Sequence, residues 1–282
     1  MVRGYHLEGK NNSTMKNCLL IFLIFIMVLF SCEKSTLLVN PDPNYPTIIK
    51  IVNAERLSSL KSDFAQQNIY VESSLNAFGY CDYAEDLVIA PDPPIDTTVT
   101  RSDLINIVNE FLLKNSSYTG VKETYNPEIL MVIERNNSHD GNKQWYVQIK
   151  AQKIDSIDVL STLLYVTIKG REVISCMGNW FPGIYVPKEF NVNQDLAKRF
   201  LINKTVTHVG MAGNPIDLKI TFESLQKSTV SLVAVPIEYE DQIRIHVAWK
   251  IWVDQVSFIL YVDVMTGEVI RQEPALISLR PI

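Results

Sequence analysis

Two ten-residue stretches of this 282-residue chain align without a gap: "YVTIKGREVI" from Tyr165 to Ile174, and "YVDVMTGEVI" from Tyr261 to Ile270. Each opens on Tyr-Val, closes on Glu-Val-Ile and carries one central glycine, Gly170 or Gly267. A strand, a tight turn and a second strand account for the pattern. Whatever architecture holds one copy must also hold the other, so the repeat constrains the fold more than any composition figure.

The residues around the two copies extend the correspondence. Trp145-Tyr-Val-Gln-Ile149 precedes the first copy, and Trp249-Lys-Ile-Trp-Val253 precedes the second. In the second half "QIRIHVAWKIWVD" alternates strictly: Ile243, Ile245, Val247, Trp249, Ile251 and Val253 share one face of a strand, with Arg244, His246 and Lys250 on the other. Each half begins with a capped amphipathic helix. Thr100 and Asp103 form a capping-box pattern ahead of the apolar stripe Leu104, Ile107, Val108, Phe111 and Leu112, and Asn193 caps a helix carrying Leu196, Phe200 and Leu201. The interval from Trp145 to Tyr165 is 20 residues against 12 from Trp249 to Tyr261, which predicts a longer loop in the first half. The reading is a duplication: an α+β chain with repeats at 98–187 and 188–282.

The N-terminal region predicts an address. Lys16 supplies a positive charge, Leu19 to Phe30 form an unbroken apolar run, and Ser31-Cys32 follow at once. That run is shorter than the about 20 residues a spanning helix needs and suits a signal-peptide core. "Leu29-Phe30-Ser31-Cys32" resembles a bacterial lipobox, with Phe30 in place of the usual small residue. The expectation is a signal peptide at 15–31, lipidation of Cys32 by fatty acyl chains such as palmitate, and anchoring to a membrane of the bacterial cell envelope, facing periplasm or cell surface. Residues 1–14 are expected to be a mis-called extension before a true start at Met15. Three prolines make 32–46 a tether, and 47–97 is an N-terminal segment, part helical (Ala54–Gln67, capped by Asn53) and part irregular.

The stretch "AWKIWVDQVSFILYVDVMTGEVI", residues 248–270, resembles the end of PepSY-type domains, including those in the propeptides of thermolysin-like metalloproteases. Ala248, Trp249, Tyr261, Val262, Asp263, Thr266, Gly267, Glu268 and Val269 carry the likeness. Residues 100–176 join it only through the internal repeat, in the manner of the neighbouring FTP-type domain of such propeptides. The fold this implies is a pair of tandem modules, each a helix packed on a curved antiparallel sheet. Trp145, Tyr165, Trp249, Tyr261, Asp263 and Gly267 are then structural: Asp263 accepts backbone N–H groups in the turn, Gly267 closes it at positive φ, and Trp249 is buried with one N–H to satisfy.

Little in the sequence points to chemistry. Net charge is −5, and without residues 1–31 the chain is more acidic still; no basic run offers nucleic acid a footing. His139, His208 and His246 stand apart, and no His-Glu-x-x-His, Gly-x-Ser-x-Gly or phosphate-cradling glycine loop occurs. The chain is expected to be no enzyme and to use neither metal nor cofactor. Cys81 and Cys176 form a candidate disulfide in an exported protein, with two buried thiols as the alternative. The expected role is protein binding: inhibiting or chaperoning a peptidase, or serving as an envelope interaction module. The alternative is a small-ligand or glycan-binding lipoprotein using Trp180, Phe181 and Tyr185 of "NWFPGIY" as an aromatic platform, unless those residues plug an apolar junction.

Overall fold

Strand dominates this chain because its apolar residues recur mostly with a period of two, the spacing that loads one face of a pleated ribbon. The computed structural model describes residues 42–66, 75–80, 99–122, 127–136, 143–209 and 215–275. Cys32 and Cys81, and the calls on residues 1–31, lie outside the described residues.

Strand β1 (Thr47–Lys50) leads to helix α1 (Ala54–Ala65), where Asn53 Oδ1 accepts the Arg56 N–H at 2.8 Å. Helix α2 (Arg101–Lys114) carries a full capping box: Thr100 Oγ1 accepts the Asp103 N–H, and Asp103 Oδ2 accepts the Thr100 N–H. One short turn, α3 (Ser116–Thr119), follows it. Strands β2 (Ile129–Asn136), β3 (Lys143–Ile149), β4 (Lys153–Ile154), β5 (Ile157–Val159), β6 (Leu163–Lys169) and β7 (Glu172–Asn179) complete the first half. Helix α4 (Gln194–Leu201) opens the second, capped by Asn193 Oδ1 on the Leu196 N–H. Then come β8 (Thr205–Val209), β9 (Pro215–Lys219), α5 (Phe222–Gln226), β10 (Thr229–Glu238), β11 (Gln242–Val253), β12 (Phe258–Asp263) and β13 (Val269–Pro274).

These strands form three sheets. One is four-stranded and antiparallel, in the order β2-β3-β6-β7. The largest has seven strands in the order β13-β12-β11-β10-β5-β4, with β1 also on β11. It is mixed, because β5 runs parallel to β10 through Val233–Asp158 and Ala234–Val159. Strands β8 and β9 make a separate ribbon.

The expected fold class, tandem modules each with a helix on its own curved antiparallel sheet, is therefore corrected. The molecule is mostly β, and its main sheet is mixed and draws strands from both halves of the chain. The physical reason is the longer interval between Trp145 and Tyr165. Its extra residues do not form an idle loop: they make β4 and β5, which leave the first sheet and pair with β10 of the second. Strand β1, from the N-terminal segment, joins the same sheet through Thr47–Ile245 and Ile48–Arg244. What the two halves do share is an order of strands: β2-β3-β6-β7 in one and β10-β11-β12-β13 in the other, with the Trp strand second and the Tyr-Val strand third.

Among the described residues, two apolar cores are the largest, beside a smaller cluster of Val233, Val235, Ala248 and Tyr261. The α2 residues Leu104, Val108, Phe111 and Leu112 pack with Trp145, Val147, Leu164, Val166 and Cys176 in one. In the other, Ile243, Ile245 and Val247 of β11 pack with Phe78, Ile157, Val159 and Met265. Trp180 belongs to the first and its neighbour Phe181 to the second, so one peptide bond ties them together.

Candidate functional site

A buried polar cluster sits where β11 changes neighbours. Strand β10 covers one edge of β11 from Ile243 to Trp252. The opposite edge is shared: β1 pairs with Gln242–Ile245 and β12 with Ala248–Val253. His246 and Val247 fall in the gap between them. A gap in a ladder leaves backbone groups that must find other partners.

The Tyr45 hydroxyl fills that gap. It accepts the Val247 N–H at 2.9 Å and donates its single proton to Asp263 Oδ2 at 2.6 Å. The Val247 carbonyl, 3.0 Å from the same hydroxyl, accepts the Val264 N–H at 3.1 Å. Asp263, the last residue of β12, is fully buried. Its Oδ1 accepts the N–H groups of Met265 and Thr266, both at 2.8 Å, and its Oδ2 also faces His246 Nδ1 at 2.7 Å. Every acceptor direction of the carboxylate is thus in use. Such a buried charge persists only when paired and hydrogen-bonded in this way.

The electrostatics follow from the contacts. Burial pushes the Asp263 carboxyl up, but hydrogen bonds from His246, Tyr45, Thr266 and Met265 outweigh it and hold the group below its ordinary 3.8. Burial first, then the adjacent Asp263 carboxylate, pushes the Tyr45 phenol far above its ordinary value. An ionised Asp263 fixes the ring proton of His246 on Nδ1, leaving Nε2 as the basic atom. The Tyr45 and His246 rings meet edge to face, with centroids 5.9 Å apart.

A carboxylate behind a histidine is half of a general-base arrangement, which also needs a reacting group within hydrogen-bond reach of Nε2. None of the described hydroxyls or thiols bonds to it, and Cys176 is buried in the other core. Among the described residues, no three His, Cys, Asp or Glu side chains are placed to hold a metal ion. The cluster's visible work is mechanical: it locks the chain entering β1 to the turn that ends β12.

The turn is built as its residues require. Gly267 has φ of 74°, and its N–H bonds back to the Asp263 carbonyl at 3.0 Å. A Cβ there would lie 2.5 Å from Phe200 Cε2, so only glycine lets α4 pack this closely. Trp249 Nε1 donates to the Val192 carbonyl at 2.8 Å, and its ring meets Phe190 edge to face. Tyr261 donates to Glu273 at 2.6 Å. In the first half, Trp145 is buried under α2 and Tyr165 is half-buried. Thr167, at the position equivalent to Asp263, meets Ser175 Oγ at 3.1 Å.

The aromatic platform does not form. Trp180 is 2% exposed and Phe181 8%, one in each core, because their rings are more stable filling those cores than facing water. The Gln152 side chain holds the Phe181 backbone on both sides, donating to its carbonyl at 2.7 Å and accepting its N–H at 3.1 Å. Tyr185 is half-buried, with its hydroxyl spent on Asp42 at 2.6 Å. Phe181 also lines two clefts, of about 440 and 400 Å³, whose walls mix polar and apolar residues.

The sequence places His246 on the polar face of β11 and gives no sign of its bond to Asp263. The available signal was the strand pairing itself: β12 sets Asp263 opposite Ala248, diagonally next to His246. Nothing in the sequence announced Tyr45, which sits in the segment read as a tether. His139 lies outside the described residues, as does the side chain of His208.

No known family's profile matches this chain, and no curated protein is similar to it. Among solved structures, it is similar to the Bacillus megaterium YpeB C-terminal domain at 8% identity, covering 80% of this chain and 98% of that one with a TM-score of 0.26. A similarity of that size assigns neither fold nor function. No described helix is long and apolar enough to cross a membrane.

Proposed function

We propose that this chain is a non-catalytic, protein-binding lipoprotein of the bacterial cell envelope, carrying a PepSY-like closing element and anchored through acylated Cys32. One observation carries the non-catalytic part: Asp263 is consumed by four contacts that hold the fold together, so the motif residues act as a scaffold. The likeness of residues 248–270 to protease propeptides, in a chain without a His-Glu-x-x-His, supports a role toward a peptidase made elsewhere. Inhibition or chaperoning of such an enzyme is the specific form.

Two measurements test this. Metabolic palmitate labelling should mark the wild-type chain and not the Cys32→Ser variant; label on both, or on neither, removes the anchor. Peptidase activity of solubilised envelope, measured with increasing purified protein, should fall or should survive heating better. An activity and heat stability that ignore the protein at all concentrations would remove the peptidase role.

A further inference from the structure

The outer face of the main sheet carries a guanidinium held in place by uncharged groups. Across β1, β11 and β10, two rows of side chains share the face opposite the core residues Ile243, Ile245 and Val247. Ile48, Arg244 and Ile237 make one row, and Lys50, Gln242 and Tyr239 the next. Arg244 lies over the Tyr239 ring, with Cζ 4.7 Å from the ring centroid. The Gln242 amide, oriented with its oxygen toward the guanidinium, accepts Nε–H at 3.1 Å and Nη2–H at 2.8 Å. One edge of the fork is thereby spent. The other, between Nη1 and Nη2, offers two parallel N–H groups, the geometry a carboxylate takes up with both its oxygens. No described carboxylate meets it, whereas Arg271 pairs with Glu273 at 2.7 Å and Arg171 with Asp103 at 3.5 Å.

We propose that Arg244 is the carboxylate-binding residue of a docking face for a polypeptide partner, which sets one acidic side chain on the open guanidinium edge and apolar side chains against Ile48 and Tyr239. The inference rests on the protein-binding reading above and gives that reading a site. Ile48 is 49% exposed and Tyr239 43%, one on the β1 side of Arg244 and one on the β10 side. Lys50, exposed in the next row, adds a second positive charge that no described carboxylate neutralises. Stacking on Tyr239 and the bonds to Gln242 fix the guanidinium before a partner arrives, so less side-chain freedom is lost on binding.

The surroundings select this occupant. A free small acid on an open face gains one solvent-screened ion pair and little else. A polypeptide also covers Ile48 and Tyr239, and removing their apolar surface from water supplies the larger share of binding. An anionic membrane brings negative charge to the whole face at once, and the exposed Glu240 and Asp241 of the β10–β11 turn repel it. An acidic run in a partner meets the same repulsion. The segment that fits is therefore one acidic residue flanked by apolar ones.

Nuclear magnetic resonance of the isotope-labelled full chain in detergent micelles tests the site, with acetyl-Leu-Glu-Leu-amide as the probe and the backbone N–H signals of Ile48 and Tyr239 as the readout. The peptide should shift both signals to saturation. Acetyl-Leu-Gln-Leu-amide should bind at least about tenfold more weakly, and so should the acidic peptide to Arg244→Lys, which keeps the charge and loses the fork. Lys250→Gln, a cation removed from the same face of β11, should bind as the wild type does. Equal binding of the two peptides overturns the proposal. Hexanoate binding as tightly as the acidic peptide overturns it in favour of a free acid, and phosphatidylglycerol in the micelles shifting the same signals as strongly overturns it in favour of a lipid surface. Should Arg244→Lys fail to fold, the two peptides on the wild type still decide. A chain that discriminates the peptides and leaves peptidase activity untouched supports this site and removes only the peptidase role. A chain that alters peptidase activity and binds neither peptide overturns this site and leaves that role standing.

Discussion

The Tyr45 hydroxyl donates to Asp263 Oδ2 across 2.6 Å, joining residues 218 positions apart. The same oxygen accepts the Val247 N–H, so one side chain stands in for a missing strand residue between β1 and β12. Tyr45→Phe should cost about 1–2 kcal/mol, since it strands a backbone donor and removes one donor from a buried carboxylate. Asp263→Ala should cost about 3 kcal/mol or more, because it leaves Tyr45 and two turn N–H groups without their acceptor. Urea unfolding of both single variants and the double variant measures this. Strictly additive losses would mean the two residues do not interact.

The same carboxylate sets an acid dependence. Its folded-state pKa lies below the ordinary 3.8 of the unfolded chain, so the folded form binds its proton later as pH falls. The stability it contributes is complete above 3.8 and is lost as pH drops through the lower folded value. The difference in unfolding midpoint between wild type and Asp263→Asn should therefore be constant near neutrality and shrink below 3.8. A difference that persists unchanged through the acid range would remove Asp263 as the titrating group.

Two glycines should respond unequally to alanine. At Gly267 the new Cβ meets the Phe200 ring, a side chain able to shift, and φ of 74° adds strain; a loss of about 1–3 kcal/mol is expected. At Gly178, φ is 122° and the Cβ would fall 1.9 Å from the Leu163 carbonyl oxygen, which belongs to the paired strand and cannot turn aside. Gly178→Ala should lose more than Gly267→Ala, by thermal unfolding monitored with circular dichroism. The reverse order would mean β6 and β7 separate easily.

Trp180→Ala should cost about 3–5 kcal/mol, and Phe181→Ala a comparable amount, as cavities open in different cores. Because adjacent residues bind the cores together, each variant should still unfold in one transition seen equally by fluorescence and circular dichroism. Two separated transitions in either variant would show that the cores unfold independently.

Local signals in the sequence located the two Trp-marked strands, the two Tyr-Val strands and both capped helices to within a few residues. The box at Thr100 and Asp103, the cap at Asn193 and the alternation from Gln242 to Val253 depend on neighbours along the chain, and all three are present as expected. Strand β8 and helix α5 carry weak local signals: one is the five-residue stretch Thr205–Val209, the other a single turn whose box pairs Thr221 with Ser224.

What the sequence alone determined is therefore the Trp-marked and Tyr-Val strands and their order within each half, because hydrophobic period and turn chemistry are written in neighbouring residues. The tertiary structure decided the rest. The pairing of β5 with β10, the capture of β1 by β11 and the closure of Tyr45 on Asp263 join distant residues through backbone groups that every amino acid shares. No residue type marks such a pairing in advance. Which edge takes which strand is settled only when competing edges are present together and the buried groups of each must all be satisfied.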